Sequence, residues 1–341
     1  MSKRNYYFDN VKFVLIVFVV FGHLLRSYIE DDQTFFALYA TIYLFHMPAF
    51  ILISGFFSKS FYKPGYLKKI TQKILLPFII FQVLYSIFYF FLRGEETFEL
   101  NMLIPEWSLW FLLSLFFWNV LLVLLVKWLK LKPALLLTVA FAIGITIGCI
   151  DTQLNILSFA RTFIFFPFFL IGFYLKKEHF QILFTIPARV ALLLSTAAVL
   201  YASYVFAGYD QDWLFGSVSF QELGATNLEG MTYRFIIYVL NFIMIAALLA
   251  FVPHKNYFFT AWGRNTLYVY LLHGFFIQTF RESAWEESAQ SILLLLAAAI
   301  ILAMFLSSKA VTALTQPLIE LKWTRLKDWL GSRRQSKDPS S

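Results

Sequence analysis

The chain has 341 residues, 60% of them hydrophobic and 20% aromatic, with 14% charged and a mean hydropathy of +0.70. So few charged residues cannot build the polar shell of a soluble enzyme of this length, and the composition points to an all-α polytopic membrane protein whose main solvent is lipid. The single cysteine, Cys149, excludes an internal disulfide and a multi-cysteine zinc site, and the formal charge of +8 reads as topology, not nucleic-acid binding.

Apolar runs of about 20 residues, long enough to cross a bilayer, recur ten times. In chain order they lie near residues 11–29, 35–57, 74–92, 108–126, 133–149, 155–175, 188–207, 235–252, 262–280 and 290–312. No A-x-A-like site follows the first run, which predicts a retained helix instead of a cleaved signal peptide. The connections alternate in charge. One set carries Lys59, Lys63, Lys68, Lys69, Lys73, Lys127, Lys130, Lys132, Lys176, Lys177, Arg189 and Lys255. The other carries Glu30, Asp31, Asp32, Glu95, Glu96, Glu99, Glu106, Asp151, Asp210, Asp212, Glu222, Glu229, Glu282, Glu286 and Glu287. The positive-inside rule puts the basic side in the cytoplasm, together with both termini, "MSKRN" included. Residues 1–320 read as one membrane domain and 321–341 as a basic cytoplasmic tail, in which "LKWTRLKDWL" makes a short amphipathic turn before disorder. The largest outer loop, roughly 208–231, contains Trp213 and Phe215.

The first span carries the first candidate chemistry. Lys12 and His23 are separated by about 20° beyond three full helical turns and by an axial rise of roughly 16 Å, so they share a face. Asp9 and Arg26 extend the stripe. Ionisable groups inside a span are costly and mark functional candidates by default. The plainer alternative is a capping Asp9, snorkelling Lys12 and Arg26, and a structural hydrogen bond at His23. His46, in "FHMP", and His273, in "YLLHG", lie at similar depth. Three readings stay open for these histidines: a metal site, which no HxxxH or HExxH spacing supports, a proton path, or acid–base catalysis by one of them with the others orienting it. Lys69 and Lys73, at i,i+4 before the third span and on the side of Lys12, either orient that span or hold the phosphates of an anionic cofactor. Arg161 lies about 9 Å below the outer surface by helical rise and needs a partner or a cavity unless it snorkels.

Assembled, these residues resemble the acyltransferase-3 superfamily of bacterial membrane O-acyltransferases, and within it the fucose 4-O-acetylase-like branch. The family's opening Asp-x-x-(Arg/Lys), ten residues and His is matched by Asp9, Lys12 and His23. "FHMPAFILISGFF", "KKITQKILLP", "WSLWFLLSLFFW", "RTFIFFPFFLIGFYL" and "GRNTLYVYLLH" follow in the family's order. The resemblance implies transfer of an acyl group, usually acetyl, from cytoplasmic acetyl-CoA to a sugar hydroxyl at or beyond the outer face of a bacterial plasma membrane, with no metal. His23 would be the essential histidine, as base or as transient acyl carrier. His46 and Arg161 would orient it or stabilise the oxyanion, with Asp9, Arg26 and His273 in support. Lys12, Lys69, Lys73 and Arg264 would contact the donor phosphates, although many relatives have arginine where this chain has Lys12 and Lys73, and lysine lacks the bidentate fork. Outer aromatics such as Trp107 and Trp213 would stack on sugar or form an interfacial belt. The chain ends soon after its last span, without the extracytoplasmic esterase domain of some relatives. It is therefore expected to deliver to a saccharide acceptor itself or to a separate transferase or synthase partner. Two other classes remain: a transporter or flippase for a saccharide or lipid-linked precursor, and an accessory subunit of a polysaccharide synthase.

Overall fold

The computed structural model describes residues 6–150, 155–283 and 290–335, with side chains to residue 330; Asp151, Glu286, Glu287, "MSKRN" and the end of the tail lie outside the described residues. Every regular element among them is helical. The first five α-helices are α1 (Tyr6–Leu25), α2 (Gln33–Tyr43), α3 (His46–Phe57), α4 (Tyr66–Ile70) and α5 (Leu76–Arg93). The next five are α6 (Trp110–Leu122), α7 (Pro133–Thr146), α8 (Phe159–Tyr174), α9 (Ile186–Val205) and α10 (Asp212–Phe215). The last are α11 (Asn227–Phe251), α12 (Thr266–Arg281), α13 (Ile292–Leu306), α14 (Lys309–Glu320) and α15 (Thr324–Gln335).

Seven helical segments among the described residues are long and apolar enough to cross a membrane, and α13 with α14, bent by 66°, makes an eighth if the pair is one span. The remaining two expected runs correspond to Pro133–Cys149 and α12. With 16 residues, α12 rises only about 24 Å against a hydrocarbon core of about 30 Å.

The β-branched and aromatic residues of "KFVLIVFVVF" are indifferent helix formers in water, but a backbone in lipid must satisfy its own hydrogen bonds, and they form α1 without a break. That helix is buried on nearly every face, packed by α2, α3, α12 and α13. The second run, expected as one helix, is instead split at Leu44–Phe45 into α2 and α3. Pro48 has no N–H, so the Leu44 carbonyl loses its helical partner. The side-chain amide of Asn241, on α11, donates to that carbonyl instead.

Behind the break, α3 lies directly on α8. A Cβ on Gly55 would strike the Phe169 backbone, and one on Gly172 would strike the Leu52 backbone, so the missing side chains let the two helices touch main chain to main chain. Lys59 Nζ donates to the Leu175 carbonyl and ties the two C-terminal ends together. The third span is entered through a wide i→i+5 turn, Thr71–Leu75, a device that recurs at functional sites. In the tail the structure departs from the expected short turn and disorder, because α15 continues to Gln335. Its start is pinned by Arg325, whose backbone N–H donates to Gln316 Oε1 at 2.7 Å and whose guanidinium reaches Asn265 Oδ1 at 3.1 Å and lies over Tyr268.

Removing the amide with Asn241→Leu leaves the Leu44 carbonyl buried and unpaired, and should destabilise the protein by about 1–3 kcal/mol in reversible denaturation in micelles. Pro48→Ala in the same chain restores a backbone N–H for that carbonyl and should recover much of the loss. A double-mutant cycle without coupling would refute this account of the break.

Candidate active site

Two cavities abut in the centre of the bundle. One, of about 230 Å³, is lined by His23, Arg26, His46, Arg161 and Arg281, with Trp107 and Trp110. The other, of about 460 Å³, is lined by Lys12, Lys69 and Lys73, with an apolar wall that includes Ile16, Phe50 and Phe111. Val19, Met47 and Tyr270 line both, so a single layer of side chains divides a histidine chamber from a lysine chamber. Helical spacing along α1 therefore carries Lys12 into one chamber and His23 into the other.

The three histidines, His46 and His273 buried and His23 half-buried, differ in what holds them. His46 Nδ1 faces the Ile42 carbonyl at 2.9 Å, and His273 Nδ1 faces the carbonyls of Val269 and Tyr270 at 3.0 and 2.7 Å. Carbonyls only accept, so each of those Nδ1 atoms carries a proton and the tautomer is locked. His23 Nδ1 instead faces the Tyr43 hydroxyl at 3.1 Å, which can donate or accept. Among the three, His23 is the imidazole free to exchange a proton without losing its partner. Its backbone carbonyl is held by Arg281 Nη2 at 2.7 Å.

Trp107 covers this histidine. Its ring lies 4.5 Å from that of His23 and 5.0 Å from that of His273, and its backbone has φ +39, a strained conformation for a bulky side chain. Buried Gln82 offsets the strain by stapling the preceding loop. Its amide donates to the carbonyls of Asn101 and Ile104 at 2.7 and 2.9 Å, and its Oε1 accepts from the Glu106 N–H at 2.9 Å. Gly274 leaves room for the indole, which any Cβ there would meet.

Of the expected residues, His23, Arg26, His46 and Arg161 come together in one chamber, and Lys12, Lys69 and Lys73 in the other. Lys12 is 2.9 Å from Asp9, so that ammonium already has a carboxylate partner, whereas Lys69 and Lys73 are exposed at the mouth with no ion pair among the described residues. Arg264 is exposed and lies outside both linings, and His273 is fully buried behind the histidine chamber. Trp213 lines a separate apolar groove between α9 and α11, although its neighbours Leu214 and Phe215 close over the histidine chamber. Sequence reasoning missed Tyr43, Trp110, Tyr270 and Arg281. The available signal for Arg281 was its position on the acidic side, where the positive-inside rule does not call for an arginine. Among the described residues no three His, Cys, Asp or Glu side chains group as metal ligands.

A family model described as an acyltransferase domain matches residues 5–309, which contain both chambers. The chain belongs to the acyltransferase-3 family. This family member is 29% identical over 190 residues to nodulation protein NolL of Sinorhizobium fredii, covering 50% of this chain and 49% of the relative. A second protein of that name, from Mesorhizobium japonicum, is 42% identical over 60 residues, 17% of this chain and 16% of its own length. The acyltransferase-3 chain thus spans about half the length, or less, of the curated relatives it matches. No solved structure matches it.

Glu106 sets a pH dependence at the rim of the chamber, beside Trp107. Burial pushes its carboxyl above the usual range, partly offset by the hydrogen bond from Ser86 and by Arg93. A raised carboxyl destabilises the fold above its folded-state pKa, and the penalty disappears as pH falls below the unfolded value near 4. Glu106→Gln should therefore raise the melting temperature at pH 8, and the gain should vanish by about pH 4; a gain that grew on acidification would contradict the burial.

Proposed function

We propose that this family member is an acyl-CoA-dependent O-acyltransferase of a bacterial plasma membrane that moves an acyl group, acetyl in the first instance, from the cytoplasmic side to a saccharide hydroxyl on the other. The observation that carries the reading is the pair of abutting chambers, one basic at its mouth and the other built around His23. Acyl-CoA is the substrate of the lysine chamber. Its phosphates meet Lys69 and Lys73, with Lys12 shared between Asp9 and the ligand. Its pantetheine arm runs along apolar walls broken by Ser54 and by the Tyr66–Asn119 hydrogen bond of 2.5 Å, polar enough for the arm's amides. Its thioester reaches the layer of Val19, Met47 and Tyr270.

In the histidine chamber, His23 Nε2 takes the proton of the acceptor hydroxyl while Nδ1–H donates to Tyr43. The acceptor oxygen forms its bond to the acyl carbon, the carbon–sulfur bond breaks, and the proton passes from His23 to the departing thiolate. The backbone N–H groups at the helix N-terminus of His46 are suited to the negative charge that develops on the acyl oxygen. The resemblance to the fucose 4-O-acetylase-like branch supports a saccharide acceptor, and the Lys12–His23 spacing along α1 supports a donor that spans roughly 16 Å.

The test is acetyl transfer from acetyl-CoA to candidate glycans by the purified protein. His23→Ala should lower kcat by about 10²–10⁴ with the protein still monodisperse. Replacing Lys69 and Lys73 by alanine should raise the donor KM about tenfold or more and leave kcat nearly unchanged. Normal transfer by His23→Ala removes the assignment, and saccharide translocation without acylation points to a transporter.

A further inference from the structure

The histidine chamber is more positive than the proposed acyl transfer requires. Its walls hold Arg26, Arg161 and Arg281 and no carboxylate. Arg26 pairs with exposed Glu30 at 3.4 Å, at the rim. Arg281 gives one N–H to the His23 carbonyl at 2.7 Å and makes no ion pair among the described residues. Arg161 makes neither a hydrogen bond nor an ion pair among them, and its guanidinium lies 5.2 Å over the Trp110 ring, which holds the planar fork in place. Both α3 and α8 begin beside the chamber and add the positive ends of their dipoles. Asp212, in the overlying loop, interacts with Arg161 and Arg26. It lies outside the lining, however, and makes no ion pair with either arginine among the described residues.

The donor does not supply the missing negative charge. Its phosphates belong to the lysine chamber and its thioester is neutral. A tetrahedral intermediate develops one charge, which the helix N-terminus at His46 meets without an arginine. Half-buried cations that converge without a counter-charge repel one another, so the remaining charge calls for an anionic occupant.

We propose that the acceptor carries an anionic group, a carboxylate or a phosphate, near the hydroxyl that is acylated, and that Arg161 and Arg281 bind it. This rests on the reading of the histidine chamber as the acceptor site and adds the acceptor's charge. A bidentate guanidinium pairs with either anion, and Trp110 behind Arg161 leaves the edge of the fork for that bond.

The experiment is calorimetric titration of the full-length protein in nanodiscs, without donor, with glucose, glucuronate and glucose 1-phosphate. At least one acidic sugar should bind about tenfold or more tightly than glucose, a difference suited to one charge-assisted pair. The acid that gains more distinguishes carboxylate from phosphate. Arg161→Gln should abolish the preference and Arg161→Lys should keep part of it. Equal affinity for the three sugars, or no binding of any, overturns the proposal on the wild-type protein alone, whatever the variants do. So does a preference that survives Arg161→Gln combined with Arg281→Gln. Acetyl transfer assayed on the same preparation separates the two ideas: an anion preference without any transfer removes the acyltransferase reading and leaves the anion site, whereas transfer without the preference does the reverse.

Discussion

Inside hydrocarbon a backbone carbonyl can find a hydrogen bond only within the protein, and the site is shaped by what happens at one such carbonyl. Pro48 removes the donor that Leu44 would have used, and Asn241 on a distant helix supplies another. Because that replacement exists, the second span can stop and restart. The restart makes His46 the first residue of a helix, puts Met47 and Pro48 at the wall of the histidine chamber, and leaves Tyr43 on the preceding turn facing His23. A continuous helix through residues 43–46 would carry Tyr43 and His46 on one regular spiral and leave no break to line. The glycine contact between α3 and α8 is the complement of this break. It fixes α3 against the helix that carries Arg161, so that both helices begin at the same chamber.

The polar groups around His23 are arranged so that none competes for its free ring nitrogen. Arg281 takes the backbone carbonyl, Tyr43 takes Nδ1, and the other two histidines are tied to the carbonyls of their own helices. Trp107 then covers the ring at the expense of an unfavourable backbone angle, and Gln82 holds the loop that imposes it. Strain of this kind persists only where the surroundings over-determine it. Here a fully buried glutamine and a glycine without room for a Cβ do so together.

Much of the architecture was legible because lipid imposes a simple code. Each of the ten apolar runs coincides with helix, and arithmetic on α1 correctly put Lys12 and His23 on one stripe. What was not legible depended on contacts between distant segments. The proline in "FHMP" was visible, but the asparagine that makes its break tolerable lies 193 positions later in the chain, at Asn241. Tyr43 meets His23 through helix packing, not spacing. Arg264 was attractive by sequence because it precedes a span on the basic side, yet it is exposed and belongs to neither lining, although Thr266 and Leu267 just beyond it line the lysine chamber. The tail was read as a short amphipathic turn before disorder, and composition did not reveal that Gln316, Asn265, Tyr268 and Glu320 hold Arg325 at its start.

The division into two chambers bears on the chemistry more than either chamber alone. A thioester brought to a histidine in open water would be hydrolysed as readily as transferred, since water is the commoner nucleophile. Here the layer of Val19, Met47 and Tyr270 is mainly apolar, and the Tyr270 hydroxyl is already committed to the Ser108 carbonyl. Met47 is the adaptable member, unbranched and able to change rotamer without losing a hydrogen bond. A thin pantetheine arm can displace such a side chain where a hydrated ion gains nothing by doing so. In the proposed reaction the donor's own length then opens the passage and its apolar wall keeps the passage dry, which makes the wall between the chambers, and not the histidine, the element that separates transfer from hydrolysis.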